Sequence, residues 1–297
     1  MALTINTNVS SIVAQKNLAK ATDSLNKAIE RMTTGYKINH ASDNAAGYSI
    51  ARNWEIQLSS LDVAADNAAT GADMLSTLED NYSLVSTHLQ RVRDLTEQAA
   101  NGTYGSDSLR AIKSEITARL EEVDRISKNC EFNGQHLMNA SITSNIDLQV
   151  GLYSASDSQI KLDSSLFAKA DVQTLFGTYG GGNDSIAKVA KACTGIGDDG
   201  KLASGVKPSA MLANIDNVIN EISTRTTTLG AGQNRIDSAI ESIGVQSENI
   251  TSSLSTLRDA DIAKESSNYI KAQILQQAAS TLLATANQTP SIALNLI

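Results

Sequence analysis

No proline occurs in the first 207 residues of this chain, and only Pro208 and Pro290 occur among all 297. Proline breaks helices because it lacks an amide hydrogen and its ring clashes with the preceding turn. Aromatic residues make up only 4% of the sequence, so few large rings are available to fill a thick core. These two features favour long helices that pack through small aliphatic side chains.

The N-terminal region carries a heptad pattern of apolar residues. Steps of four and three separate Ala14, Leu18, Ala21, Leu25, Ala28 and Met32. This spacing puts the six side chains on one narrow helix face, which is typical of close helix–helix contact. Gly35 ends the pattern, and the polar residues from there to Gly47 predict a boundary between two helices.

Two more helices are predicted before residue 130. The first runs from about Ser49 to Ala100 and the second from about Asp107 to Lys128, with Asn101-Gly102 between them. A helix of about 50 residues would be roughly 75 Å long, which is too long for one compact domain.

The pattern then changes from helical spacing to alternation. Ile146, Leu148, Val150 and Leu152 alternate with polar residues, as do Ile160 and Leu162, which predicts a β-hairpin near residues 146–165. The glycine-rich residues 177–204 predict a short loop-rich insertion with one short helix at about 186–192.

Helical periodicity returns after Pro208. Met211, Ile215, Val218 and Ile222 share one face, and a heptad pattern follows from Ile236 to Leu257. A last helix is expected over about 261–287, with Pro290 ending it. Because one isolated helix cannot bury so narrow an apolar face, the N-terminal helix should pair with the C-terminal one.

The predicted fold class is therefore mainly α. We expect an elongated rod of long antiparallel coiled-coil helices, formed by paired N- and C-terminal regions, with a small β-hairpin and a short central insertion. Apolar residues left exposed at one end of a rod favour repeated contacts between copies, and such contacts make filaments.

Composition and spacing exclude several classes of protein. The net charge of −8 argues against a nucleic-acid binder that works by bulk positive charge. No apolar run approaches the roughly 18 residues of a membrane span, and no cleavable signal peptide is recognised. We expect either a cytosolic protein or export by a route without such a signal.

Catalytic, metal and cofactor sites are not predicted. The three histidines, His40, His88 and His136, share no metal-ligand spacing. Cys130 and Cys193 form no C-x-x-C motif and are interpreted as small thiols that are either buried or unreactive.

Several segments together resemble the bacterial flagellins. Thr34–Gly47 reads TGYKINHASDNAAG and resembles the family's "SSGxRINSAxDDAAG" segment. The segments LQRVRDL at 89–95, LGAGQNR at 229–235 and AQILQQ at 272–277 resemble further family landmarks in the same order. The resemblance covers roughly residues 1–150 and 209–297. It departs from the family at Tyr48, where leucine is usual, and in the shortness of the middle region.

The resemblance implies a non-enzymatic structural subunit that polymerises into the helical flagellar filament and serves motility. Export through the flagellar type III system would place it outside the cell without a cleaved signal. It implies a terminal coiled-coil domain (1–45 with 258–297) inside a helical shell domain (46–176 with 205–257), and a variable insertion (177–204).

The resemblance also implies partners. These are further copies of the chain, an export chaperone on the C-terminal helices, and the filament cap and hook-associated proteins. The resemblance suggests recognition by Toll-like receptor 5 through Gln90, Arg91, Leu95, Glu115 and Ile215. The alternative for these residues is a solvated helix face that packs only in the filament.

The assembly seam is predicted from the heptad patterns. It consists of Ala14, Leu18, Ala21, Leu25, Ala28, Met32, Ile250, Leu254, Leu257, Ile274 and Leu282. Two other functions stay open: a hook–filament junction protein, which shares the terminal pattern, and a coiled-coil adaptor that forms no filament. The segments at 89–95 and 229–235 favour flagellin over the junction protein.

Overall fold

The computed structural model describes residues 8–153, 156–180, 186–197 and 207–294. Helices dominate it: α1 (Val9–Thr34), α2 (Ala45–Ala100), α3 (Ser106–Asn129), α4 (Val172–Gly180), α5 (Ile186–Thr194), α6 (Pro208–Arg258) and α7 (Ile262–Leu294). The strands are β1 (Glu131–Phe132), β2 (Gln135–His136), β3 (Ile146–Gln149) and β4 (Gln159–Leu162). Contacts divide the chain into a terminal unit, residues 1–59 with 246–297, and a central unit, residues 60–245.

Local caps explain where the helices of the terminal unit begin and end. The Asn8 side chain accepts a hydrogen bond from the Ser11 amide at the start of α1. Gly35 ends α1 with φ of 75°, a left-handed conformation that glycine adopts without steric cost. The Asn44 side chain caps α2 by accepting from the Gly47 amide at 3.0 Å.

The central unit has a continuous apolar core. α2, α3 and α6 each contribute a heptad face, with residues such as Leu89, Leu120 and Val218 completely buried. Phe167 and Phe176 are also fully buried, and α5 adds Val189 to the same core.

Arg225, whose side chain is 13% exposed, joins an irregular segment of the central unit to the helices. Arg225 Nη1 donates to the Ala168 carbonyl at 3.2 Å and to the Tyr82 hydroxyl at 3.4 Å, and its Nη2 pairs with Glu221 at 2.5 Å. The Tyr82 hydroxyl in turn donates to the Leu166 carbonyl at 3.0 Å. Burial raises the pKa of Tyr82, so its hydroxyl remains a donor at neutral pH.

Both cysteines are free thiols buried in the core of the central unit. Burial raises the pKa of Cys130 and of Cys193 to about 11. Since the thiolate is the reactive form, both side chains are unreactive at neutral pH, as the sequence predicts.

The mainly helical fold and the hairpin are confirmed. β3 and β4 pair antiparallel with Ile146 opposite Leu162 and Leu148 opposite Ile160, and α5 matches the short helix expected at 186–192. Sequence reasoning missed α4 and the β1–β2 hairpin, although Asn133-Gly134, both with positive φ, is a strong turn signal. Residues 181–185 and 198–204 of the predicted insertion, and 295–297 of the apolar tail, lie outside the described residues.

The prediction that Pro290 ends the last helix is wrong, because α7 continues to Leu294. A proline removes the hydrogen bond to the carbonyl four residues earlier, here that of Ala286. The Asn8 side chain donates to this carbonyl at 2.7 Å, so the acceptor that Pro290 leaves free has a partner from α1.

The contacts of the partly buried Arg225 yield a stability prediction. Arg225→Ala should lower the free energy of unfolding of the central unit by about 2–3 kcal/mol, because the partly buried carbonyls of Ala168 and Lys169 and the Tyr82 hydroxyl lose a charged partner. Urea unfolding followed by circular dichroism measures the change. Arg235→Ala is the matched control, since Arg235 is an exposed arginine on the same helix. Equal losses in the two variants would contradict this role of Arg225.

Candidate functional site

The terminal unit is organised around an antiparallel pair of helices, α1 and α7. Hydrogen bonds join Asn8 to the Ala286 carbonyl, Thr22 to Gln276 and Arg31 to Glu265. The partner in α7 moves toward the N-terminus as the residue in α1 moves toward the C-terminus, so the two helices run in opposite directions.

The contact between α1 and α7, here called the alanine seam, is centred on buried residues seven apart, all of them alanine except one glutamate. The buried positions are Ala14, Ala21 and Ala28 on α1, and Glu265, Ala272 and Ala279 on α7. Larger side chains between them are half-buried: Leu18, Leu25 and Met32 on α1, and Tyr269, Gln276 and Leu283 on α7. Both helices thus follow the four-three spacing of a coiled coil.

Polar contacts hold both ends of the alanine seam. At one end, Asn8 caps α1 with its oxygen and binds α7 with its nitrogen, while the Ser11 hydroxyl donates to Asn287 at 2.7 Å. At the other end, Glu265 is buried and lies 3.5 Å from Arg31. The seam predicted from the sequence missed Glu265, although its spacing of seven from Ala272 was a usable signal.

Four large apolar residues of α7 lie on the face away from α1. Ile274 and Leu282, both assigned to the predicted seam, are 62% and 63% exposed. Ile270 and Leu275 are also more than half exposed, and a groove of about 390 Å³ runs between Ile270, Ile274 and Leu275. α1 adds a second exposed apolar surface at Val9, Ile12 and Val13.

The remaining seam predictions fall on the C-terminal part of α6. Ile250, Leu254 and Leu257 are half-buried there, within the terminal unit. The structure therefore brings the six α1 positions together on one face and leaves Ile274 and Leu282 on a different surface.

The five positions matched to receptor contacts divide by burial. Gln90, Arg91 and Glu115 are at least partly exposed, and Arg91 Nε lies 3.0 Å from Glu115 Oε1. Leu95 and Ile215 are 2% and 0% exposed, inside the core of the central unit. The heptad spacing of Leu89, Val92 and Leu95, and that of Met211 and Ile215, already indicates core positions.

The described residues show neither a metal cluster nor a membrane span. Among them, no group of three or more His, Cys, Asp or Glu side chains is arranged to hold a metal ion. No helix in the described part of the chain is both long enough and apolar enough to cross a membrane.

Two family models match this chain. The bacterial flagellin N-terminal helical region matches residues 5–143, and the bacterial flagellin C-terminal helical region matches residues 212–297. These ranges contain the α1–α7 pair, the Arg91 surface and most of the helical core. The family resemblance found in the motifs is confirmed.

Full-length relatives agree with the family models, and a solved structure shares the fold. The chain is 30% identical to polar flagellin F of Vibrio parahaemolyticus, over 100% of both proteins. It is 31% identical to flagellin of Bacillus subtilis, over 99% of both. A solved structure described as a flagellar hook-associated protein from Vibrio parahaemolyticus matches with a TM-score of 0.59 and 16% identity, over 73% of this chain and 100% of that one. This last match concerns the fold alone.

Asn8 offers a test of how α7 is held beyond Ala286. Asn8→Asp keeps a good helix cap but removes the nitrogen that donates to the Ala286 carbonyl. We expect amides after Ala286 to exchange about tenfold faster, the equivalent of one lost hydrogen bond, with the start of α1 unchanged. Hydrogen–deuterium exchange of peptides from the two ends measures this.

Asn8→Ala is the control for the two roles of Asn8, because it removes the cap as well as the donor. It should speed exchange at both ends of the chain. Unchanged exchange after Ala286 in Asn8→Asp would show that the side chain does not hold α7.

Proposed function

We propose that this chain, which belongs to the bacterial flagellin family, polymerises through the outward faces of α1 and α7. Flagellins are structural proteins that form the flagellar filament, and the family assigns this chain the role of a filament subunit. The proposal adds which surfaces make the contacts between copies.

The exposure of large apolar side chains supports this assignment of surfaces. Ile274 and Leu282 on α7 are mostly exposed, while Ala272 and Ala279 of the same helix are buried against α1. Apolar area gains about 25 cal/mol per Å² when it leaves water. Covering four such side chains would stabilise each subunit by a few kcal/mol, which an isolated α1–α7 pair cannot gain. Contiguous exposed apolar surface of this kind marks an interaction site.

The family resemblance suggests how the chain is arranged within the filament. We propose that residues 1–45 and 258–297 form an inner layer of terminal helices, and that residues 46–176 and 205–257 form the surrounding shell. Residues 177–204 would then be the variable surface segment. The seam residues Ile250, Leu254 and Leu257 would add contacts where α6 enters the inner layer.

The proposal also covers how the subunit is exported and which proteins bind it before and after assembly. The subunit would leave the cell through the flagellar type III system and function outside the cell. An export chaperone would cover the C-terminal helices, since Ile270, Ile274 and Leu282 need shielding before polymerisation. Filament cap and hook-associated proteins would contact the chain at the two ends of the polymer.

Introducing negative charge on the exposed apolar face of α7 tests whether this face makes the contacts between copies. The double variant Ile274→Asp/Leu282→Asp should abolish filaments, because two carboxylates would be buried against apolar neighbours without a partner. The control Gln273→Asp/Thr281→Asp places the same charges on exposed polar positions of α7 and should still polymerise. Electron microscopy and sedimentation after seeding score both. Normal filaments from the first variant would overturn the assignment of this face.

Recognition by Toll-like receptor 5 is proposed for the exposed part of the α2–α3 surface. Arg91 pairs with Glu115, which also lies 3.8 Å from Arg119, and the guanidinium is presented on the surface. Exposed arginines are enriched among residues that dominate binding energy. Gln90 and Glu115 complete the set, while the buried Leu95 and Ile215 would support it from within the core.

A receptor assay tests whether Arg91 contributes to recognition more than another exposed arginine does. Arg91→Ala should reduce activation of reporter cells carrying the receptor by about tenfold or more. Arg125→Ala, which removes an exposed arginine from α3, should not. Both should unfold like the wild type, because exposed ion pairs contribute little to stability. Equal activation by wild type and Arg91→Ala would refute the proposal, and cells lacking the receptor give the background.

A further inference from the structure

The two connections that join the terminal helices to the rest of the chain are hydrogen-bonded to each other. One connects α1 to α2 and the other connects α6 to α7. The Lys37 amide donates to the Arg258 carbonyl at 2.7 Å, and the Ala260 amide donates to the Gly35 carbonyl at 2.8 Å. Tyr36 and Asp259 form an antiparallel bridge between them. This short ladder lies entirely within the terminal unit.

Arg258 fastens this ladder with its side chain. Its guanidinium lies 4.1 Å from the centre of the Tyr36 ring and forms an ion pair with Glu55 on α2. The last residue of α6 thus contacts the α1–α2 connection and the first part of α2 at once. These contacts join residues more than 200 positions apart in the sequence.

Arg258 is shielded enough from solvent for its contacts with Glu55 and Tyr36 to stabilise the ladder. Its side chain is only 20% exposed and that of Glu55 only 26%, so solvent screens the pair less than a surface pair. A guanidinium can stack on a ring and bind a carboxylate at the same time, whereas an ammonium group is a compact point charge. Lysine would therefore replace only part of the interaction.

Arg52 is a second arginine that pairs with Glu55, but in the described part of the chain it makes no contact between the two connections. Arg52 also pairs with Glu55, at 2.8 Å, but it is 66% exposed and lies three residues away on the same helix. Its removal leaves every contact between the two connections in place. Glu55 therefore has one local partner and one partner from the far end of the sequence.

We propose that Arg258 is a positioning residue that makes the two connections one joint, called here the Tyr36–Arg258 joint. When the joint is closed, the α1–α7 pair has one fixed orientation relative to the adjoining ends of α2 and α6. With it open, the two connections would bend separately, and copies in a polymer would present their terminal helices in unequal directions. The inference rests on the proposed filament function and adds the residue that sets this geometry.

Hydrogen exchange in assembled filaments tests the joint. In Arg258→Ala, the Lys37 and Ala260 amides should exchange about tenfold faster than in the wild type, while those of the central unit stay unchanged. Arg258→Lys should give an intermediate rate. Tyr36→Phe, which keeps the ring, and Arg52→Ala should exchange like the wild type. Unchanged protection of Lys37 in Arg258→Ala would overturn the proposal.

A charge exchange separates positioning from general destabilisation. Glu55→Arg combined with Arg258→Glu restores an ion pair but puts a carboxylate over the ring. It should recover part of the protection that Arg258→Ala loses, whereas a purely structural loss would not be recovered. Electron microscopy should show wild-type filaments of uniform waveform and mixed waveforms in Arg258→Ala. A uniform wild-type waveform in Arg258→Ala would also refute the joint.

Failure of the proposed filament function and failure of the joint would give different results. If the wild-type chain formed no filaments, the assembly proposal would fail, and the same exchange comparison on single subunits would still decide whether Arg258 holds Lys37. If wild type and all variants formed identical filaments with identical exchange, assembly would stand and the joint would fall.

Discussion

The close contact of alanines between α1 and α7 determines how the terminal part of this protein behaves. Ala14, Ala21 and Ala28 face a row in which Ala272 and Ala279 are the small members, so the two backbones approach closely. An alanine methyl buries little area, while each ordered residue costs about 1–2 kcal/mol of conformational entropy. The pair is therefore weakly stabilised by its own seam. The large side chains that could supply more burial, such as Ile274, point to the opposite face. The terminal helices therefore leave apolar area exposed that contacts with neighbouring copies would bury.

Because the alanine seam is uniform, its register has to be set by polar contacts. Alanines seven residues apart would pack almost equally well after a shift of one heptad, and single polar contacts are an established way to select one register. Asn8 selects it at one end through the Ala286 carbonyl, and Arg31 selects it at the other through the buried Glu265. The carbonyl that Asn8 binds is the one that Pro290 leaves without a helical donor. The proline and the asparagine are thus complementary across 282 positions of sequence, a link that a local reading of either residue does not suggest.

The sequence predicts local structure well and long-range contacts poorly. Heptad spacing located α1, α3 and the buried face of α6, and alternation located β3 and β4, because these signals come from neighbouring residues. On α7, two apolar faces compete: one has alanines and the other has isoleucine and leucine. Hydrophobicity alone selects the larger residues, as the predicted Ile274 and Leu282 show, but a partner helix lined with alanine can be approached closely only by the small face. The contacts of Asn8, Arg31 and Arg258 have no local signal, since the fold alone brings their partners together.

The same reasoning explains why family motifs carry over unevenly to this chain. Arg91 and Leu95 belong to one motif, yet Arg91 is exposed and Leu95 is only 2% exposed. Arg91 lies at the edge of the buried face of α2, directly before the buried Val92, whereas Leu95 lies within that face. A motif preserves spacing along a helix, and spacing fixes which side chains can share a surface. Residues of the motif that coincide with the heptad therefore maintain the core, and those between heptad positions remain available to a partner. Applying the periodicity first assigns Leu95 and Ile215 to packing and leaves Gln90, Arg91 and Glu115 as the surface that a receptor or a neighbouring subunit can contact.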